Sequence, residues 1–293
     1  MPFSCIHTHT SFCDGADDIE TNCRMAYDKG LESLGFSSHA PVTKKTGFRT
    51  HWHMPDERLE EYLDAVRAAK KRWEGKLPVY LGLEVDYISG IMGPGDKDYR
   101  EMGLDYIIAA VHYVVAPRGE PFTVDDSAEA VERGINEGYG GDAALMTEAY
   151  FKAQTEIIRG GGFDLLAHPD LVKKNKAVLE SRGLVLFRED DSFYREKTAA
   201  IAALLASAGI PAELNTGGLN RGKINECYPS LDFLKQLREQ GVPMVINADA
   251  HKAEHLGGYY DTARQAMLAA GFSETAVFAG RQGGKAVWKS VKL

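Results

Sequence analysis

Short apolar runs and amphipathic stretches alternate along most of the chain. Seven runs read as strands: Phe3–His7, Leu34–Ser38, Pro78–Tyr87, Tyr106–Val115, Phe163–His168, Pro211–Asn215 and Pro243–Asn247. Between and after them, apolar residues recur at spacings of three and four over Asp18–Lys29, Pro55–Trp73, Asp142–Arg159, Ser192–Ala208, Ser230–Gln240 and Thr262–Ala270, which predicts helices. Gly30, Gly209, Gly241 and Gly271 stand where helices end. Ser230, after Pro229, is placed to cap the helix that follows. Strand–helix alternation predicts parallel strands joined by right-handed crossovers. The stretches Ser89–Arg100 and Pro117–Gly141 are rich in glycine and charge and are expected to be loops over one end of the sheet. With no Pro/Ser-rich linker and no internal repeat, the expectation is one domain spanning 1–293.

The strand ends carry the chemistry. The first run closes on His7-Thr8-His9, and later ones close on or near His39, Glu84, His112, His168 and the pair Asp249 and His251. His7 and His9 are two apart, so an extended backbone puts both imidazoles on one face. Glu84 emerges from an otherwise apolar run, where a carboxylate is costly unless it meets a cation or a donor. Any one of these histidines alone reads as an ordinary core or surface residue. As a set at successive strand ends, with Asp14 after the first, they are what a metal site requires. An open sheet would concentrate ligands at one switch point. Ligands from strands spread along the chain instead predict an α/β barrel with its site at the carboxyl ends of the strands. The set exceeds what one ion needs, so a multinuclear centre is expected.

Composition narrows the function. Of 293 residues 44% are hydrophobic, enough for a sizeable core, and the net charge of −8 with scattered basic residues disfavours a nucleic-acid-binding surface. No run approaches the length of a membrane span, and the first residues lack a basic region followed by an apolar one. The four cysteines form no Cys-x-x-Cys pair. A reduced, cytoplasmic protein without a membrane partner is expected, with structural cysteines; Cys13 stands out only for its neighbour Asp14.

His7-Thr8-His9-Thr10 with Cys13-Asp14-Gly15, Phe36-Ser37-Ser38-His39-Ala40-Pro41, Gly82-Leu83-Glu84-Val85-Asp86-Tyr87, Val111-His112-Tyr113, His168-Pro169-Asp170-Leu171 and Asp249-Ala250-His251 together resemble the polymerase-and-histidinol-phosphatase superfamily, from residue 3 to about residue 258. Glu213–Arg221 and Tyr228-Pro229-Ser230 are similar to its histidinol-phosphate phosphatase branch. The resemblance implies a distorted (βα)7 TIM-like barrel and three divalent transition-metal ions, zinc, iron or manganese. His7, His9, Glu84 and Asp249 would hold the first; Glu84, His112 and His168 the second; Asp14, His39 and His251 the third. Mixed nitrogen and oxygen ligation does not choose the metal.

Such a centre can generate a nucleophile from water and neutralise a phosphate monoester, without a covalent intermediate. The resemblance therefore implies a metal-dependent histidinol-phosphatase of histidine biosynthesis, with a small phosphorylated metabolite as its partner. Arg221, after Gly217-Gly218, is the first candidate for binding phosphate, followed by Lys173 and Arg49. Asp249, His251 or a metal-bound water could protonate the leaving group. Asp86, Tyr87, Tyr113, Phe48 and Trp52 are expected to rim the mouth and meet the rest of the substrate. His51, His53 and His255 read as surface or loop residues. The alternatives are a phosphoesterase for another small metabolite or nucleotide and a catalytically silent metal-binding module. Oligomeric state is not legible.

Overall fold

The computed structural model describes residues 4–47, 50–118 and 120–293. Seven parallel strands form its main sheet: β1 (Ser4–Cys5), β2 (Ser33–Phe36), β3 (Val79–Asp86), β4 (Tyr106–Ala110), β5 (Leu165–Leu166), β6 (Ala212–Asn215) and β7 (Met244–Asn247). They pair in chain order. A parallel bridge between Thr8 and Ala250 joins the two edges near the carboxyl ends, with the His9 N–H donating to the Ala250 carbonyl at 2.9 Å and the Ala250 N–H to the His7 carbonyl at 3.1 Å. The result is the α/β barrel that the strand–helix alternation predicts.

Side-chain alternation divides the core in two. Leu81, Leu83 and Val85 of β3, Ile107 and Ala109 of β4 and Leu214 of β6 face outward into the layer shared with the helices. Ile6, Tyr106, Ile108, Ala110, Leu165, Ala167 and Val245 fill the barrel interior. The Tyr106 hydroxyl reaches the carbonyl oxygens of Ile6 and Phe36, at 2.5 and 2.9 Å. Higher in the barrel the inward positions turn polar, with Glu84 and Asp86 on β3 and Glu213 and Asn215 on β6, all essentially buried. Barrel geometry thus sets acids above a sealed apolar floor.

Several elements differ from expectation. The run Tyr106–Val115 is not one strand: β4 ends at Ala110, and Tyr113–Val114 pairs antiparallel with Phe122–Thr123 outside the barrel. The break leaves His112 over the barrel mouth. Pro117–Gly141 is not a plain loop, since it holds that small hairpin and a helix over Ala128–Tyr139. Ser127 caps this helix, its Oγ accepting from the Ala130 N–H at 3.2 Å. Ser89–Arg100 likewise runs into a short helix, Lys97–Glu101. Ser230 makes no side-chain cap; its N–H donates to Asp170 at 2.7 Å and its hydroxyl meets Tyr194 at 3.1 Å. The hairpin β8 (Glu274–Gln282) and β9 (Lys285–Lys292) lies beyond the elements read from the sequence. Its Phe278 packs on Tyr106 and closes the lower end of the barrel. Among the described residues no helix is long and apolar enough to cross a membrane.

Candidate metal centre

Every barrel strand but β6 has a candidate ligand at or just past its carboxyl end, and these side chains meet in one place. His7, His9, His39, Glu84, His112, His168 and Asp249 are all buried, while Asp14 and His251 are partly exposed. Glu84 is central. Its Oε2 lies 2.9 Å from His39 Nδ1, 3.3 Å from His7 Nε2 and 3.5 Å from His9 Nε2. Its Oε1 lies 3.1 Å from His168 Nε2 and 3.8 Å from His112 Nε2. Asp249 Oδ1 is 3.2 Å from His9 Nε2 and 3.7 Å from His7 Nε2. Asp14 Oδ2 is 3.1 Å from His251 Nε2, and its Oδ1 is 3.8 Å from His39 Nε2.

Three features suit this arrangement to divalent cations. Ligand atoms from His7, His9 and Asp249, from His7, Glu84 and His168, and from His9, Asp14, His39 and His251 lie within 4.8 Å of one another in each group. That spacing fits ligands about 2.0–2.2 Å from a shared ion. His7 Nε2 and His9 Nε2 are buried without a hydrogen-bond partner, and His39 Nδ1 and Glu84 Oε2 lie 2.9 Å apart without the alignment of a hydrogen bond. Such atoms cost about 1–3 kcal/mol each when nothing satisfies them. Charge gives the third. Burial opposes the charge of His7, yet Glu213, Glu84 and Asp249 overcome it and raise its pKa well above the ordinary value. Burial likewise opposes ionisation of Glu84, but His39 and His7 hold its carboxyl well below the usual range. Cation and carboxylate thus depend on each other here, and a metal ion can take the place of the protons. His9 differs: burial and then the neighbouring His251 and His39 push it down to about 3, leaving a neutral imidazole with a lone pair to offer.

An outer layer orients these rings. His7 Nδ1 donates to Glu213 Oε1 at 2.7 Å, and Glu213 Oε2 accepts from the His168 backbone N–H at 3.0 Å and from Asn215 at 2.9 Å. His112 Nδ1 donates to Asp86 Oδ1 at 2.7 Å. In both cases the far nitrogen, Nε2, is left to face the centre. The sequence reading did not assign Glu213 a role. Its signal was the one that marked Glu84, a carboxylate at an inward position of an apolar strand.

Arg221 bridges Asp249 and the cavity above the centre. Its guanidinium donates to Asp249 Oδ2 and to the Asp249 carbonyl, both at 3.0 Å, and lies 3.0 Å from His251 Nδ1. Burial raises the pKa of Asp249, but Arg221 and His7 prevail and keep it well below the usual carboxylate range. Asp249 has a φ of +47°, a left-handed conformation that costs energy in a non-glycine residue. Gly217 makes room for the pair: a Cβ there would stand 2.7 Å from Asp249 Oδ2 and 2.9 Å from the Arg221 guanidinium. Gly217→Ala is therefore expected to weaken metal retention by about tenfold, the lower end of what loss of ligand support costs. Dialysis against graded chelator followed by metal analysis would check it.

The cavity has a volume of about 560 Å³, and its lining includes the candidate ligands Asp14, His39, Glu84, His112, His168, Asp249 and His251 together with His51, Trp52, Arg221, Lys223, Asp125, Asp126, Ser127, Lys174 and Asn175. Several expected substrate contacts lie elsewhere. Lys173 is buried and fully engaged, donating to the Cys227 carbonyl at 2.9 Å and pairing with Asp170 at 3.1 Å and Glu226 at 3.0 Å. It ties two loops together, and its neighbour Lys174 faces the cavity instead. Asp86 does not rim the mouth, because it is buried between His112 and His53. Nor is His53 a surface residue. Tyr113 is buried and stacked on Trp52, with ring centroids 5.8 Å apart. The Tyr87 hydroxyl turns away to Glu156 at 3.1 Å. Arg49 and Phe48 fall outside the described residues.

A barrel whose strand ends gather histidines and carboxylates in this order defines a class of metal-centred enzymes. The PHP domain model matches residues 6–217, and the chain belongs to this family. A Deinococcus radiodurans protein named "Probable histidinol-phosphatase" is 30% identical over 254 residues, covering 86% of this chain and 87% of its own. A Bacillus subtilis protein named "Histidinol-phosphatase" is 26% identical over 270 residues, covering 87% and 96%. The fold is shared with the crystal structure of a Lactococcus lactis histidinol phosphate phosphatase complexed with zinc, L-histidinol and phosphate. That match has a TM-score of 0.68 at 20% identity and covers 97% of this chain and 98% of that one.

Proposed function

We propose that this protein is a metal-dependent phosphomonoesterase that hydrolyses L-histidinol phosphate to L-histidinol and phosphate, with His7, His9, Asp14, His39, Glu84, His112, His168, Asp249 and His251 holding three divalent ions. The observation that carries the reading is the convergence of these nine side chains, five of the histidines closing directly on the buried Glu84 carboxylate, beneath a cavity of about 560 Å³. The names of two relatives that align along most of their length support the substrate, and the zinc of the Lactococcus lactis structure supports the metal.

Bound there, the ions would supply a hydroxide-like nucleophile at neutral pH and neutralise the phosphate oxygens. The rest falls to the protein. Glu84, buried and ionised, would be a ligand shared by more than one ion position. Arg221 faces the cavity while anchored on Asp249, so its guanidinium is oriented before a phosphate arrives. Arg221 and His7 hold Asp249 in its carboxylate form against the opposing effect of burial, and that is the form that binds a metal ion. The remainder of the substrate is cationic and aromatic, and the walls match it: Asp126 offers a carboxylate beside Asp125, which pairs with Lys174 at 3.0 Å, and Trp52 offers an aromatic face. These acids at the mouth and the net charge of −8 weigh against a polynucleotide substrate.

The test is phosphate release by metal-replete protein from L-histidinol phosphate, beside generic phosphomonoesters and phosphodiesters. Strong preference for histidinol phosphate, with turnover reduced about 10²–10³-fold in Arg221→Ala, is expected, the range for removing one preorganised charge-stabilising group. Diester cleavage, or slow and equal turnover of all esters, would assign the site to another small phosphorylated compound.

A further inference from the structure

The loop over residues 50–54 is fastened to the metal centre by a chain of hydrogen bonds. Asp86 is 1% exposed and uses each oxygen once, Oδ1 at 2.7 Å from His112 Nδ1 and Oδ2 at 2.6 Å from His53 Nε2. An ionised carboxylate only accepts, so both imidazoles donate. The other nitrogen of His53, Nδ1, lies 2.7 Å from the Thr50 hydroxyl, which accepts from the His53 backbone N–H at 3.1 Å. Donation therefore converges on Asp86 from both sides, and the arrangement turns His112 Nε2 toward Glu84.

We propose that His53 is a positioning residue for the metal centre, which through Asp86 fixes the ring of His112 and through stacking holds Trp52 against the ligands as a wall of the cavity. The inference rests on the reading of His112 as a metal ligand. Trp52 stacks on His53 with centroids 3.6 Å apart and packs edge-on to His39 at 4.6 Å and His112 at 5.3 Å. Without His53, Asp86 Oδ2 would be buried with no donor, and the carboxylate could turn on its single bond to His112. Trp52 would lose its stacking partner at the same time. One side chain thus connects the innermost ligands to the cavity surface that substrate meets.

Wild type, His53→Ala and His53→Gln are compared by metal content after dialysis against graded chelator, and by KM and kcat. His53→Ala is expected to lose about 10–100-fold in affinity for one ion class and to raise KM, whereas His53→Gln, whose amide N–H can still donate to Asp86, stays within about threefold of wild type. Should the alanine variant fail to fold, the glutamine variant decides: retained affinity supports the relay, and a loss like that of a ligand deletion overturns it. Wild-type affinity for every ion in His53→Ala would also overturn it, as would equal loss of all ions in both variants. A wild-type protein that binds no metal would instead refute the ligand reading of His112.

Discussion

Replacing Glu84 with glutamine is expected to lower phosphate release by about 10³-fold or more, because a single preorganised charge is worth about 10²–10³-fold in rate and this one serves more than one ion position. The amide matches the carboxylate in size, so packing is preserved and only charge and donor pattern change. One terminal atom would still accept. The other would carry two N–H groups and face either His168 and His112 or His7, His9 and His39. Either orientation places a donor where a cation should sit. Circular dichroism should report an intact fold, and metal analysis should report fewer ions per chain. Turnover within tenfold of wild type would refute the central role given to Glu84.

Removing metal should make stability steeply dependent on pH on the alkaline side. Burial disfavours a charged His112, yet Asp86 and Glu84 raise its pKa to about 10, and His7 and His39 are shifted in the same direction. A histidine raised in the folded state contributes stability that is complete below its unfolded value near 6.5 and is lost as pH climbs through the folded value. In the chelated protein the protonated rings balance Glu84 and Asp249, so stability should fall from about pH 6.5 toward 10. Glu84 and Asp249 are shifted downward, so their contribution is present above the ordinary carboxylate range and is lost only in acid. In the loaded protein, cations replace those protons and the alkaline loss should disappear. At a thousandfold excess of metal over Kd the gain is about 4 kcal/mol, on the order of 10 °C in melting temperature for a domain of this size. Melting curves with and without chelator at pH 6.5 and 9 provide the check. A difference that stays constant or narrows with pH would contradict the charge account.

Much of this architecture could be read from the chain because two periodicities coincide. Strand alternation put apolar residues outward, and the end of each run marked where a side chain would enter the mouth. His7, His9, His39, Glu84, His112, His168 and Asp249 were legible for that reason, and the structure brings them together. What escaped depended on partners distant in sequence. Lys173 looked like an anion ligand until Asp170, Glu226 and the Cys227 carbonyl closed around it. His53 looked exposed because nothing local announces Asp86, 33 residues away. The helix Ala128–Tyr139 was obscured by Gly134, which read as loop composition; a Cβ there would lie 2.5 Å from the Phe122 ring. Val131, Ile135 and Tyr139 nevertheless carried the spacing of four.

The sealed lower end of the barrel also governs traffic. Tyr106 and Phe278 fill the axis where a channel would otherwise run, so among the described residues the cavity that receives substrate is also the way out for both products. With phosphate on the metal centre, as proposed, the alcohol would lie toward the opening and would leave first. An enzyme built this way is sensitive to the phosphate concentration around it, because free phosphate and fresh substrate queue for the same passage.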